Sequence, residues 1–309
     1  MQHRLERGAA RLPEAFRRRQ ADFVLSRQVG DGGFRGRGTT SDLYYTRFAL
    51  QTLFILGDAA GGTAPGRARA RRYVAGREPS AGTVEALDHL HVVRMLEEHG
   101  APPLEAAKRH ERFARLQAAV ESCRTSDGGY SASPGGRSSV YHVFVAGLCY
   151  ELLGKRQPDR AKAVQLVISR QRGDGGFADG AGADQGQTNI TAGAVCGLAA
   201  AGFVGRVMAR RSVDFLKSMQ RGEGGLAAYA GAPHADLLST FTGLWALVEL
   251  GALKELHLSS LGRYVRSLAL KTGGFLGSAD DGESDVEYTF YGVAALAALA
   301  EAAGHERTA

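Results

Sequence analysis

The sequence predicts an all-α fold of six helix-hairpin repeats that close into a double-walled barrel. Three observations predict it: a glycine motif recurs at one period, a charged helical segment precedes each copy, and a more apolar helical segment follows it. The chain has 309 residues, of which 44% are hydrophobic, so it can bury a core large enough for such a fold.

The glycine motif sets the period. The first glycine of each Gly-Gly pair stands at positions 32, 128, 175, 224 and 273, with gaps of 96, 47, 49 and 49 residues, and 96 is two periods. The segment from Ser80 to Gly82 stands where the missing copy is expected. Six units of one period are typical of a repeat architecture. We place the repeats in a single domain, 1–309, near residues 14–57, 66–100, 108–154, 159–202, 206–251 and 256–304.

Each repeat begins with a charged helix. We expect the glycine motif to end this helix, because glycine adopts a left-handed C-cap at little cost. The second helix is apolar nearly all round, which is typical of a helix that is buried on all sides. We therefore predict an outer ring of first helices and an inner ring of second helices, although an open superhelix would show the same period. The six predicted inner helices end at Gly57, Gly100, Gly154, Gly202, Gly251 and Gly304.

Charge and composition narrow the class of protein. The net charge is +6, but no nucleic-acid-binding motif accompanies the basic residues, so nucleic acid is not a predicted partner. No apolar run reaches the ~18 residues that a membrane span needs, and the N-terminus lacks the apolar segment of a secretory signal, so we predict a cytoplasmic protein. The cysteines show no paired spacing, which favours reduced thiols at Cys123, Cys149 and Cys196.

One repeat unit carries a family resemblance. The segment from Gly30 to Phe34, followed by Asp42-x-x-Tyr45-Thr46 and an apolar helix ending in Leu-Gly, resembles the repeat of protein prenyltransferase β subunits. Squalene and terpene cyclases share a related unit. The resemblance extends from about residue 14 to 304, and the length is similar to that of a geranylgeranyltransferase β subunit. It implies an α/α toroid whose central funnel, walled by aromatic residues, holds an isoprenoid.

The resemblance to protein prenyltransferases also implies a zinc ion at the rim and a basic pocket for a diphosphate. The family's zinc ligands are an Asp and a Cys that open the fifth inner helix, and a His that opens the sixth. Asp236 matches the Asp, whereas Leu238 and Tyr288 stand at the Cys and His positions. Leucine cannot bind zinc and tyrosine is an uncommon ligand. We therefore predict a degenerate zinc site, and zinc is not an assured cofactor.

The cyclase motif is incomplete too. Squalene-type cyclases protonate an alkene with the middle Asp of a D-x-D-D motif. The nearest string here runs from Ser278 to Asp281 and lacks the first Asp. The segment from Asp280 to Asp285 also has the carboxylate density of a magnesium site, but an acidic, solvated loop is the plainer interpretation.

Polar residues at the starts of the inner helices converge on one rim of the predicted barrel, where a site is expected. We single out Asp236, Asp285 and Tyr288 as candidate catalytic residues. For Asp42, Asp236 and Asp285, the alternative is ordinary N-capping. The candidate ligand-binding residues are rim polar groups and funnel aromatics: Asp42, Tyr45, Tyr141, Phe144, Asn189, Phe241, Trp245 and Tyr291, with Phe48 and Phe290 also available.

A relocated metal site is a further hypothesis. Asp88 and His91 open the second inner helix and His142 opens the third. Because these helices are neighbours in a toroid, the three side chains could share one divalent metal ion. Ordinary rim histidines are the alternative.

We therefore predict a prenyltransferase-like toroid that binds an isoprenoid or another hydrophobic small molecule in its funnel, with a protein partner left open. Two alternatives remain. One is an active transferase or terpene cyclase that acts on an isoprenoid diphosphate. The other is a non-catalytic protein-interaction toroid.

Overall fold

The computed structural model describes residues 1–57, 63–100 and 106–305. Within these residues the chain is helical, and β structure is limited to isolated bridges. The α helices are α1 (Gln2–Ala9), α2 (Glu14–Ser26), α3 (Leu43–Leu56), α4 (Thr63–Ala75), α5 (Thr83–Glu98), α6 (Ala106–Ser122), α7 (Val140–Leu153), α8 (Arg160–Ser169), α9 (Thr188–Ala201), α10 (Arg206–Ser218), α11 (Leu237–Glu249), α12 (Leu258–Ser267) and α13 (Val286–His305). A short 3-10 helix spans Leu253–Glu255.

From α2 onward the helices alternate between two concentric rings. The inner ring consists of α3, α5, α7, α9, α11 and α13, and each of these helices contacts the next. The last, α13, also contacts α3, so the ring is closed and the chain is not an open superhelix. The outer helices α2, α4, α6, α8, α10 and α12 pack on this ring, which confirms the predicted double-walled α/α toroid.

The glycine motif does not end the outer helices, and this prediction was wrong. The C-cap of α2, Arg27, is right-handed, and the glycines lie in the turn that follows, which a bridge between Gln28 and Phe34 closes. Gly32 has a φ of +97°, and a Cβ on it would lie 2.4 Å from the carbonyl oxygen of Arg69 in the next outer helix. The motif is needed because the turn requires a positive φ and a close approach between successive repeats.

A repeated hydrogen bond joins consecutive repeats. The first N–H of an inner helix has no partner within its own helix. In four repeats this N–H donates to a loop carbonyl of the following repeat, two residues after its buried aromatic or leucine. The pairs are Thr83 with Ala132 (3.2 Å), Val140 with Asp179 (3.1 Å), Thr188 with Ala228 (2.8 Å) and Leu237 with Gly277 (2.8 Å).

The C-terminal ends of the inner helices follow the sequence analysis in five repeats. Glycine there adopts a positive φ, which lets the chain leave the helix. These residues are Gly57, Gly100, Gly154, Gly202 and Gly251. For the sixth inner helix, the predicted end at Gly304 was wrong, because α13 continues through Gly304 to His305.

Helix α1 covers the lower end of the ring, where the inner helices finish. It packs so closely on α13 that a Cβ on Gly8 would lie 1.9 Å from a carbonyl oxygen of that helix. Arg4 lies 3.7 Å from Glu249 at the end of α11, and Glu6 lies 3.9 Å from His99 at the end of α5. The sequence analysis assigned no element here, because an eight-residue helix depends on such tertiary contacts and shows little periodicity.

No helix in the described ranges is both long and apolar enough to cross a membrane. Cytoplasmic placement stays a prediction. The cysteines are free thiols: Cys123 and Cys149 are buried and Cys196 is half-buried.

Candidate functional site

We call the region inside the inner ring the funnel, after the expectation from the family resemblance. On α7, α9 and α11, partly exposed residues recur every three or four positions along one face. Because the outer helices cover the opposite side, this face points into the ring. The funnel face consists of Tyr141, Phe144 and Leu148 on α7, Asn189, Gly193 and Cys196 on α9, and Leu238 and Thr242 on α11. Trp245 continues this face of α11 but is buried.

Two glycines of α9 shape this side of the funnel. The ring of Phe144 lies 3.4 Å from the Cβ position of Gly193 and 3.5 Å from that of Gly197. The absence of side chains lets the ring lie flat against α9. The predicted ligand-binding residue Phe144 is therefore a half-buried part of the wall.

Buried aromatic rings of α3, α11 and α13 pack into one cluster that we call the aromatic wall. Phe48 of α3 lies 5.0 Å from Tyr44 and 5.4 Å from both Phe290 and Tyr291 of α13, measured between ring centroids. Tyr291 stacks on Phe241 of α11 at 5.7 Å. These separations are typical of favourable aromatic pairs. The structure thus brings together Phe48, Phe241, Phe290 and Tyr291 as buried neighbours, and their role in ligand binding stays a prediction.

A buried cation stands within this wall. The guanidinium of Arg47 in α3 lies 4.1 Å from the ring centroid of Phe48. Its Nε donates to the Asp88 carboxylate of α5 at 2.5 Å, and its Nη1 donates to Gln51 at 3.3 Å. The side chains of Arg47 and Asp88 are 11% and 4% exposed, so the ion pair is nearly dry. Such a pair is costly to break, since either partner alone would be an uncompensated buried charge.

A second carboxyl group faces the same cation. Glu287 of α13 accepts hydrogen bonds from the hydroxyls of Tyr44 at 2.7 Å and Tyr291 at 3.2 Å. Burial raises the pKa of Glu287, and it raises the pKa of Asp88 to about 6 although Arg47 opposes the shift. Two carboxyl groups therefore share one guanidinium in a region with little water.

His91 lies beside this cluster. Its Nδ1 is buried without a hydrogen-bond partner, and burial together with the Arg47 charge lowers its pKa to about 3. The imidazole is therefore neutral at physiological pH.

The structure does not assemble the predicted metal site. The Asp88 carboxylate is hydrogen-bonded to Arg47, and His142 Nδ1 shares a 2.8 Å hydrogen bond with the Ser139 hydroxyl. In the described part of the chain, no three His, Cys, Asp or Glu side chains are placed to hold a metal ion. His91 and His142 therefore stand as individual residues of the second and third inner helices.

The three rim aspartates are N-caps, as the alternative interpretation held. Each side chain accepts a hydrogen bond from the N–H three residues later, which satisfies a free donor of the first helical turn. The pairs are Asp42 with Tyr45 (2.7 Å), Asp236 with Ser239 (2.7 Å) and Asp285 with Tyr288 (3.0 Å). The predicted ligand-binding residue Tyr45 packs its ring against Gly36 of the first-repeat loop.

Asp236, Tyr288 and Asn189 meet at a cavity of about 270 Å³ that we call the rim pocket. It opens among the starts of α9, α11 and α13. Leu238, at the family's cysteine position, and Tyr288, at its histidine position, both line it. Neither supplies the nitrogen or thiolate that zinc prefers, so the residues present do not fit that metal. The side chains of the wall include Asn189, Asp236, Leu238, Ser239, Asp281 and Tyr288.

Sequence reasoning missed Arg47 and Arg37. Arg47 carried a signal, because it is the lone charged residue of the otherwise apolar helix α3. Arg37 carried none, since its partners Asp281 and Asp285 are more than 240 residues away in the chain. These two bonds, at 2.5 Å and 3.0 Å, join the first-repeat loop to the sixth.

The repeat pattern has a counterpart among protein families. The model of the prenyltransferase alpha-alpha toroid domain matches residues 5–178, 80–209 and 148–308, which together span nearly the whole chain. The chain belongs to this family. No curated protein matches its sequence significantly.

Several solved structures share the fold. Protein geranylgeranyltransferase-I of Candida albicans, complexed with GGPP, superposes with a TM-score of 0.67 at 14% identity, covering 90% of this chain and 89% of that one. The type II terpene cyclase MstE of Scytonema, complexed with geranylgeranyl dihydroxybenzoate, gives 0.63 at 12% identity and 98% coverage of both. The GH76A α-1,6-mannanase of Salegentibacter gives 0.64 at 11% identity, covering 93% and 98%. This toroid therefore supports unrelated chemistries.

Proposed function

We propose that this toroid binds an isoprenoid or a similar apolar chain in its funnel. The observation that carries the proposal is the pairing of two surfaces. An accessible apolar face on α7, α9 and α11 stands opposite the aromatic wall of α3 and α13. Apolar, aromatic-lined cavities with a few placed polar groups are typical of small-molecule sites.

Two structural neighbours support the choice of ligand. The Candida transferase holds GGPP and the Scytonema cyclase holds a geranylgeranyl dihydroxybenzoate, so both carry a geranylgeranyl chain. Aromatic faces suit such a polyene because they combine apolar area with a negative π surface. Geranylgeranyl compounds are therefore the first ligands to test.

The rim supports binding without thiol transfer. Leu238 and Tyr288 line the position where the family places zinc ligands, and the Asp236 carboxylate is bonded to Ser239 through both its N–H and its hydroxyl. We infer that the zinc-dependent chemistry of protein prenyltransferases is lost here. Interaction with a protein partner remains the alternative role.

The test is a titration of the protein with geranylgeraniol, monitored by calorimetry and by the fluorescence of Trp245. This is the one tryptophan of the sequence and it lies on the funnel face of α11, so its emission should change on binding. We expect saturable one-to-one binding. Thr242→Phe, which adds a ring to the same face, should weaken binding about tenfold or more by filling the funnel. Val207→Phe is the matched control, since Val207 is 76% exposed on α10.

Two results would count against the proposal. Absence of saturable binding by the folded wild-type protein would leave the interaction role as the better account. Equal loss of affinity in Thr242→Phe and Val207→Phe would place the ligand outside the funnel.

A second candidate function is acid-catalysed cyclisation, as in terpene cyclases. The observation that favours it is the Asp88 carboxyl, whose pKa is raised to about 6 beside the aromatic wall. Its proton would pass to an alkene carbon and leave a carbocation facing the π surfaces. This function requires a cyclised product that increases as the pH falls below about 6 and that Asp88→Asn abolishes. If no such product forms, the funnel binds its ligand without this chemistry.

A further inference from the structure

We propose that the rim pocket receives the polar head of the funnel ligand and selects an uncharged or cationic head over a diphosphate. This inference rests on the proposed binding function, which it deepens by naming the chemical class of the ligand. Three features carry it: the position of the pocket, the charges on its wall and the way its cation is bonded.

The pocket adjoins the funnel through one side chain. Tyr288 lines the rim pocket, and its ring centroid lies 6.2 Å from that of Tyr291 in the aromatic wall. Leu238 also belongs to both, since it lines the pocket and begins the funnel face of α11. An apolar chain in the funnel would therefore place its head among the polar groups of the rim.

The charges on the pocket wall are mainly negative. Asp236 and Asp281 line the cavity, and Asp285 lies directly behind Asp281 on the same guanidinium. Asp281 and Asp285 thus share one cation, Arg37. Asp236 is bonded to the N–H and hydroxyl of Ser239, and among the described residues no cation pairs with its carboxylate.

The guanidinium of Arg37, next to the rim pocket, is already paired with two carboxylates. Arg37 donates through Nε to Asp285 and through Nη2 to Asp281, and its guanidinium also lies 5.7 Å from the ring centroid of Tyr288. A phosphate on the remaining N–H groups of Arg37 would lie beside two carboxylates that already balance the single positive charge. Repulsion from these carboxylates therefore offsets the attraction of the guanidinium.

The same wall suits a hydrogen-bond donor. The carboxylate of Asp236 has acceptor capacity beyond its two bonds to Ser239, and Asn189 adds an amide. An alcohol or an ammonium group could donate to these acceptors. A diphosphate offers only acceptors at neutral pH and would meet like charges, which disfavours it.

The experiment compares three ligands that share one chain: geranylgeraniol, geranylgeranylamine and geranylgeranyl diphosphate. Each is titrated into the intact protein by calorimetry. We expect the amine to bind at least as tightly as the alcohol, and the diphosphate to bind about tenfold more weakly or worse. Higher salt should reduce this difference, because it screens the repulsion.

Two variants test the wall. Asp236→Asn keeps a good N-cap while removing the charge. It should therefore reduce the difference in affinity between the amine and the diphosphate. Asn189→Lys adds a cation to the cavity and should raise the affinity for the diphosphate about tenfold. Asp280→Asn is the control, since this side chain is 75% exposed and does not line the pocket.

The outcomes separate the two proposals. If the diphosphate binds most tightly, the head-group inference is overturned while the binding function stands. If none of the three compounds binds, the proposed function itself fails and this inference with it. Equal binding of all three, unchanged in Asp236→Asn and Asn189→Lys, would show that the head lies outside the rim pocket.

Discussion

The guanidinium of Arg47 and the carboxylate of Asp88 form an ion pair that joins α3 to α5 at the funnel wall. Both partners belong to inner helices and are almost fully removed from water. The Arg47 guanidinium also interacts electrostatically with the Glu287 carboxyl group of α13. Three consecutive members of the ring, α13, α3 and α5, are therefore coupled by charge.

Removing the cation should destabilise the ring. We expect Arg47→Met to lower the free energy of unfolding by about 3–5 kcal/mol, because it leaves the buried Asp88 carboxylate without its cationic partner. Urea-induced unfolding measures the effect. Arg18→Met is the control: Arg18 pairs with Glu14 on the exposed face of α2, and its loss should cost under about 1 kcal/mol. Equal effects of the two substitutions would mean that the buried pair contributes no more than a surface pair.

The pKa of Asp88 predicts a dependence of stability on pH. Burial raises this pKa from 3.8 to about 6, so the folded state holds the proton to a higher pH than the unfolded state does. The stabilising contribution is complete below about pH 4 and is lost as the pH rises through about 6, with a total on the order of 3 kcal/mol. His91, with its pKa lowered to about 3, acts in the opposite direction below about pH 6.5.

Asp88→Asn isolates the Asp88 contribution, because the His91 effect is common to both proteins. The difference in unfolding free energy between wild type and Asp88→Asn should change between about pH 4 and pH 7. A difference that stays constant over this range would show that Asp88 titrates normally in the folded protein.

The turn glycines allow a matched comparison. Gly175 has a φ of +90°, and a Cβ on it would lie 2.3 Å from the carbonyl oxygen of Arg211, whereas a Cβ on Gly173 would meet nothing within 4 Å. We expect Gly175→Ala to lower the melting temperature through a loss of roughly 1–3 kcal/mol, from backbone strain and the contact between repeats. Gly173→Ala should change stability by less than about 0.5 kcal/mol. Similar melting temperatures for the two variants would contradict the proposed role of the motif.

The packing of α1 can be tested in the same way. A Cβ on Gly8 would collide with the backbone of α13, so Gly8→Ala should displace α1 and expose the lower end of the ring. Hydrogen exchange should then increase in α1 and in the C-terminal half of α13. His3→Ala should leave exchange unchanged, since the His3 side chain is 91% exposed on the same helix. Protection that persists in Gly8→Ala would show that α1 tolerates a larger separation from α13.

Much of the fold could be predicted because the sequence repeats. One period in the glycine motif and one apolar segment per period were enough to order the helices into two rings. The physical role of the glycines could not be read in this way. The contact between Gly32 and the following outer helix depends on how repeats stack, which a local C-cap rule does not include.

The site was predicted less completely, because it depends on side-chain direction between helices. Asn189, Asp236 and Tyr288 do meet at one cavity, as rim positions should. Asp88 and His142 open neighbouring helices, but each bonds to a different partner, so the predicted metal site does not form. A lone arginine in α3 was visible in the sequence, whereas its pairing with Asp88 required the ring geometry.

The closure of the ring through α13 and α3 also bears on chain connectivity. Every repeat has a neighbour on both sides, and α1 lies against α13, so the first and last described helices meet on one side of the barrel. A circular permutant that begins at another repeat would keep the same set of contacts between neighbours. The order in which its repeats fold would change, but its final architecture would not. The arrangement of the repeats in space therefore does not depend on their order along the chain.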